Sequence, residues 1–176
     1  EKKTRESDVN FSEMYPNGYT SFYDQPDLFA DPPFDELAHK IFLAVASYAV
    51  ERGYDMSKRR LAMHSMFGNV QYENSIHAMH HHPNSTFSGV YYVSAPEGSS
   101  KLRFRDPCIL SRMAEPTIDQ FNVTSAEVME FSPKEGVLLV FPSYLEHEVL
   151  RNQSLKPRIA ISFNIVVERI QDKTAV

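Results

Sequence analysis

The sequence predicts a mainly β fold: a jelly roll of eight strands with an amphipathic helix packed on the outside of the sheet. Three observations point there. From residue 54 onward, short extended segments alternate with clusters of turn-forming residues, the pattern of an all-β sandwich or barrel. Before that, apolar residues recur at spacings of three and four, the period of a helix with one face to bury. The last extended segment has one wholly apolar face, and such a face needs cover.

Residues 1–30 are polar and rich in aromatics, with Tyr15, Tyr19, Phe22, Tyr23 and Phe29 scattered around a Pro16-Asn17-Gly18 turn. They read as a frayed start followed by an irregular or strand-like segment laid over the body. Asp31-Pro32-Pro33, followed by Phe34-Asp35-Glu36, is a helix start: a capping acid, proline in the first turn and acids at the positive end of the dipole. Phe34, Leu37, Ile41, Val45, Tyr48 and Ala49 form its apolar face, and Gly53 is the stop. The predicted strands are Arg60 to Val70, Ile76 to His82, Ser88 to Ser94, Lys101 to Arg105, Glu127 to Phe131, Val137 to Phe141, Glu146 to Leu150 and Arg158 to Val167. Breakers such as Asn84-Ser85, Pro96 to Ser100, Pro133 to Gly136 and Asn152 to Ser154 separate them. In the last strand Ile159, Ile161, Phe163, Ile165 and Val167 face one way, toward the helix. Arg158, Ala160, Ser162 and Asn164 face the other, into the jelly roll. An arginine buried there needs an anion. No repeat, low-complexity tract or linker divides the chain, so residues 1–176 read as one domain: an irregular segment (1–30), a helix (31–53) and the jelly roll (54–167).

The 176 residues can bury a core, with 42% hydrophobic residues. A formal net charge of -5 argues against a dedicated nucleic-acid surface, which would carry a basic excess. The one cysteine, Cys108, rules out an internal disulfide and a multi-thiolate zinc site, and fits a reducing, cytoplasmic setting. No apolar run approaches a membrane span, so no membrane association is expected. Oligomeric state stays open between monomer and homodimer.

The chemistry is concentrated in two stretches. In an extended strand His80 and His82 point to the same side, and the distant Phe141 to Val149 stretch supplies a third imidazole, His147. Imidazole suits iron, zinc, copper and nickel, and three protein ligands on one face of an octahedral ion leave three positions open. His81 faces the other way and His77 is out of phase with His80, so both read as packing or outer groups, as do His39 and His64. Tyr91 reads as packing, Asp106 as the fixer of a turn, and Cys108 as a thiol with no helper motif.

Five pieces then occur in order: His80-His81-His82-Pro83, Ser88 to Tyr92, Phe104-Arg105-Asp106-Pro107, Phe141 to His147 and Arg158 to Asn164. Over about residues 60 to 167 the chain resembles the iron(II)- and 2-oxoglutarate-dependent oxygenases. The resemblance implies a double-stranded β-helix with Fe(II) between its sheets, held by His80, His82 and His147. It implies that Arg158, eleven residues after His147, binds the far carboxylate of 2-oxoglutarate, helped by Ser162 and Tyr92. Dioxygen would be the oxidant, and 2-oxoglutarate would be decarboxylated to succinate and CO2 as a small-molecule or peptide side-chain substrate is hydroxylated.

One departure stands out. The superfamily usually has aspartate or glutamate where His82 stands, and no acid lies between Glu73 and Glu97. A three-histidine set leaves a more positive site that favours anionic co-ligands. Three alternatives follow: a three-histidine cupin dioxygenase that binds its substrate directly on iron, a metal-binding jelly roll without catalysis, and Asn84 as an amide ligand. The irregular loops, residues 1–30 and 107–126, carry no readable code for the substrate.

Overall fold

In the computed structural model the described residues are 15–108, 113, 116–122 and 125–170. The frayed start expected before Tyr15 and part of the 107–126 loop lie outside them. Two antiparallel sheets face each other. The larger contains β1 (Gly18–Thr20), β2 (Arg59–Gln71), β4 (Phe87–Ser94), β7 (Leu138–Pro142) and β9 (Arg158–Arg169), in the order β1-β2-β9-β4-β7. The smaller contains β3 (His77–His80), β5 (Leu102–Arg105), β6 (Val128–Phe131) and β8 (His147–Val149), in the order β3-β8-β5-β6. Each of the eight predicted strands is present, and β1 is the strand-like part of the N-terminal segment. Strand β3 is shorter than the predicted Ile76 to His82, so His82 lies past its end. There the His82 backbone N–H donates to the Ser143 carbonyl at 3.0 Å.

The helix, α1 (Asp35–Glu51), begins later than the capping pattern implies. Pro32 and Pro33 have no N–H groups for an Asp31 side chain to accept from. They form a short 3-10 turn closed by the Phe34 N–H on the Asp31 carbonyl at 2.9 Å, while the Asp31 carboxylate accepts from the Gln25 amide. The helix ends ahead of Gly53, whose φ of +75° suits glycine.

The alternation along β9 decides the layers. Ile161, Phe163 and Ile165 are buried against Ala38, Ile41, Val45 and Ala49 of α1, with Phe87 between them. Fully burying each such side chain contributes about 1.5–3 kcal/mol. On the other face, between the sheets, Ala160 packs with Val90, Tyr92, Leu102, Phe141 and Val149. Gly89 sits where the Phe163 ring and the Leu139 carbonyl leave no room for a Cβ.

Ser88, Ser143 and Asn164, one from each of three motifs, meet in the interior. The Ser88 hydroxyl donates to Asn164 Oδ1 at 2.7 Å, so its contact with the Ser143 hydroxyl at 2.8 Å must be donated by Ser143. Asn164 Nδ2 donates in turn to Ser65 at 2.9 Å. All four are buried, and the network ties β2, β4 and β9 to the turn after β7. These motif positions are explained by satisfied burial. Asp106 also has a structural part, accepting the Cys108 N–H at 2.8 Å within its turn. Lys101 and Arg103 are paired with Glu130, and Arg103 also with Glu148, across the smaller sheet, which cancels the charge of that stretch. No helix among the described residues is long and apolar enough to cross a membrane.

Candidate metal centre and its cavity

His80, His82 and His147 converge, each offering a ring nitrogen within 4.8 Å of the others. His147 lies opposite His80 in the β3–β8 ladder, and His82 reaches the cluster from beyond the end of β3. His80 Nδ1 lies 2.8 Å from the Ala78 carbonyl, and His147 Nδ1 lies 2.8 Å from the Leu145 carbonyl. A carbonyl only accepts, so both Nδ1 atoms carry the proton and both Nε2 lone pairs turn inward. This is how proteins orient imidazoles toward metals. His82 Nε2 stands 3.2 Å from His147 Nε2. Two nitrogens about 2.1 Å from a shared ion and at right angles around it lie about 3.0 Å apart. The spacing therefore fits adjacent positions on one ion, which would replace the proton now shared between the rings.

Among the described residues no carboxylate joins the cluster, so the all-imidazole set read from the sequence is also the set in space. Asn84 is exposed on a turn with φ +63°. His39, His64 and His81 are exposed as well. His77 is another matter, because its ring stacks on His80 with centroids 3.9 Å apart and lines the same cavity. Strict alternation puts residues three apart on opposite faces. Here His77 pairs with Val149 and His80 with His147, so β3 holds one extra residue and the bulge turns both rings to one side.

Burial, and then the neighbouring imidazoles, hold these rings in the neutral form. His147 is pushed down to about 3 and His82 to about 4 from the usual 6.5; His80 is also lowered, and His77 falls to about 2. The unfolded chain takes up these protons near pH 6.5 and the folded one resists. The stabilisation is therefore complete above pH 6.5 and is lost progressively as pH falls through about 4 and then 3, the folded-state values of His82 and His147. The melting temperature of metal-free protein should drop across that window, and drop less in a His147→Gln variant. Identical pH profiles for the two would refute the assignment.

The imidazoles line one part of a narrow cavity of about 50 Å³. Lining another part is Arg158, only 3% exposed. Its Nη1 donates to Gln71 Oε1 at 2.6 Å, and among the described residues no carboxylate pairs with it. Arg158 Nε is buried without a hydrogen-bond partner. The Tyr92 ring packs under the guanidinium, 4.9 Å from Cζ, behind the cavity wall. Burial raises the Tyr92 pKa, with Arg158 partly offsetting it. Ser162 also lines the cavity, accepting from Asn69 Nδ2 at 2.9 Å. A buried guanidinium beside neutral groups is an incomplete ion pair, and an anionic ligand completes it.

Tyr15, Asn69 and Gln71 are cavity residues the sequence did not single out. Tyr15 is buried edge-on to His77, with centroids 4.8 Å apart, and burial raises its pKa although Arg158 partly opposes this. Nothing periodic marks it. Asn69 and Gln71 did carry a signal, since Phe67, Asn69 and Gln71 alternate on one face of β2 opposite Ser162, Ala160 and Arg158. A mouth of about 280 Å³ adjoins the imidazoles, where Thr20, Phe22, Tyr23 and Pro83 join residues of the inner cavity.

Comparison with known proteins agrees with this geometry. A family model described as "Putative 2OG-Fe(II) oxygenase" matches residues 65–164, more than half of the chain. Curated proteins gave no match. Among solved structures, HygX from Streptomyces hygroscopicus with nickel, 2-oxoglutarate and hygromycin B bound superposes with a TM-score of 0.54 at 15% identity, over 86% of this chain and 70% of that one. An oxidoreductase of the 2OG-Fe(II) oxygenase family from Burkholderia pseudomallei gives 0.50 at 14% identity, over 68% of this chain and 52% of that one. The chain thus spans about half the length of the second protein. At such identities the superpositions speak for the fold alone, a double-stranded β-helix. The chain belongs to the 2OG-Fe(II) oxygenase family.

Proposed function

We propose that this chain is a hydroxylase in which His80, His82 and His147 hold iron(II) and Arg158 receives the distal carboxylate of 2-oxoglutarate. The observation that carries it is the cavity itself, with three imidazoles lining one part and a buried cation lacking an anion lining another. Iron and keto acid, when bound, would activate dioxygen, which supplies the oxidising equivalents. The chain's own residues bind and orient. The Ala78 and Leu145 carbonyls fix the tautomers of His80 and His147, Ser162 keeps its hydroxyl proton for a ligand, and Tyr92 supports the guanidinium from behind. Phe104 and Phe141 pack on His147 with centroids 5.7 and 4.9 Å away and exclude water from that side. The all-imidazole set adds no negative charge, so the keto acid's own carboxylates supply it.

The substrate is a small molecule or a peptide side chain that enters by the aromatic mouth next to the imidazoles. HygX, solved with nickel, 2-oxoglutarate and hygromycin B bound, is a precedent for this fold holding an organic molecule together with a metal and a keto acid. A dioxygenase binding its substrate directly on three-histidine iron would share the cluster, but it gives Arg158 nothing to do. The deciding experiment is anaerobic titration of iron-loaded protein with 2-oxoglutarate. The expected result is the weak visible charge-transfer band of a keto acid chelated to iron, saturating at one equivalent. No band and no 2-oxoglutarate-dependent succinate release would refute the proposal.

A further inference from the structure

We infer that Gln71 is a second ligand for the far carboxylate of 2-oxoglutarate, donating from Nε2, and that its neutrality keeps the Arg158 charge available. The inference rests on the reading that Arg158 receives that carboxylate.

Gln71 is the last residue of β2, directly opposite Arg158 in the β2–β9 ladder, and it is 0% exposed. Its amide orientation follows from its neighbours. Arg158 Nη1 can only donate, so the atom 2.6 Å away must be the carbonyl oxygen, which also accepts from the Ser100 hydroxyl at 3.3 Å. The NH2 group is therefore committed to the other direction, where it is buried with no partner, although the residue lines the cavity. Five buried side-chain polar atoms among the described residues lack a partner, and two of them, Gln71 Nε2 and Arg158 Nε, belong to this one pair beside the cavity. Buried donors are nearly always satisfied, so two unsatisfied ones at a buried cation mark where a ligand's oxygens go. A structural strut for Arg158 would be better made of glutamate, which would neutralise it. Glutamine holds the guanidinium in place through a neutral oxygen and leaves the positive charge for the ligand. Gln71 is held in turn, because Asn152 Nδ2 donates to its backbone carbonyl at 3.0 Å.

The test compares wild type, Gln71→Glu and Gln71→Met as iron-loaded proteins under anaerobic conditions. Each is titrated with 2-oxoglutarate and with 2-oxopentanoate, which has the same keto acid head but no far carboxylate. Iron affinity is measured separately. Losing a hydrogen bond to a charged group costs about 1.5–3 kcal/mol, so Gln71→Met should weaken 2-oxoglutarate binding by about 10- to 100-fold. Gln71→Glu should weaken it more, because its carboxylate pairs internally with Arg158 and repels the ligand. In both variants iron affinity and 2-oxopentanoate binding should match wild type, which also shows that the site has folded. Wild-type affinity for 2-oxoglutarate in either variant overturns the inference, and so does a parallel loss for both keto acids. If wild-type protein itself fails to bind 2-oxoglutarate, the proposed function falls, an outcome distinct from normal binding in wild type and variants alike.

Discussion

His147→Gln protein is expected to lose stoichiometric iron. His147 is 4% exposed, its Nδ1 is pinned to the Leu145 carbonyl, and its Nε2 has no orientation open except toward His80 and His82. Removing an outer-sphere partner of a metal ligand already costs about 10–100-fold in affinity, and removing a ligand from a set of three costs more. Glutamine is preferred to alanine because His147 packs against Phe104 and Phe141, and truncation there would add a cavity penalty of about 2–5 kcal/mol. The measurement is iron per chain after anaerobic reconstitution and desalting. His81→Gln, exposed beside the cluster, is the control and should keep its iron. Full occupancy in His147→Gln would remove His147 from the ligand set.

The second large effect belongs to Arg158. Arg158→Met should bind 2-oxoglutarate about 100- to 1,000-fold more weakly, the loss of two charge-assisted hydrogen bonds to a carboxylate. Iron content should stay near that of wild type, because the imidazoles stand on and just beyond β3 and β8 of the smaller sheet while Arg158 stands on β9 of the larger one. The ligand-free fold gives a further readout. With no carboxylate partner Arg158 is a buried, uncompensated charge, and an apolar side chain of similar length removes the cost of keeping it there. Ligand-free Arg158→Met should therefore melt no lower than wild type, whereas wild type alone should gain stability from added 2-oxoglutarate. Equal 2-oxoglutarate affinity in the two proteins would end the assignment of Arg158.

The two variants separate the site into halves. One should lose the metal, and the other should keep the metal and lose the cosubstrate. A binding-only jelly roll would also lose metal in His147→Gln, but it would show no 2-oxoglutarate response for Arg158→Met to abolish.

Much of this arrangement was legible along the chain. The period-two pattern of β9 was enough to place Ile161, Phe163 and Ile165 against α1, and Arg158, Ala160 and Ser162 toward the space between the sheets. The convergence of His80, His82 and His147 could be anticipated from composition and alternation, even though His82 turned out to lie beyond the strand. It reaches the cluster because its backbone is tied to Ser143. The Asp31 cap was misread because two prolines removed the N–H groups it would have satisfied.

What the sequence determined by itself is local. Alternation along one strand, a helical stripe and a breaker between segments depend on neighbours a few residues away, and those neighbours are written in order. What only the tertiary structure decided is register. The extra residue that turns His77 onto His80 is visible only against β8, and the Gln71 oxygen that holds Arg158 lies 87 residues from it along the chain. Such pairings are set by which strands lie side by side and how far each has slipped. A slip of one residue sends every side chain to the opposite face. The candidate metal ligands could therefore be nominated from the chain, while the neutral partner that holds Arg158 emerged only when β2 was laid against β9.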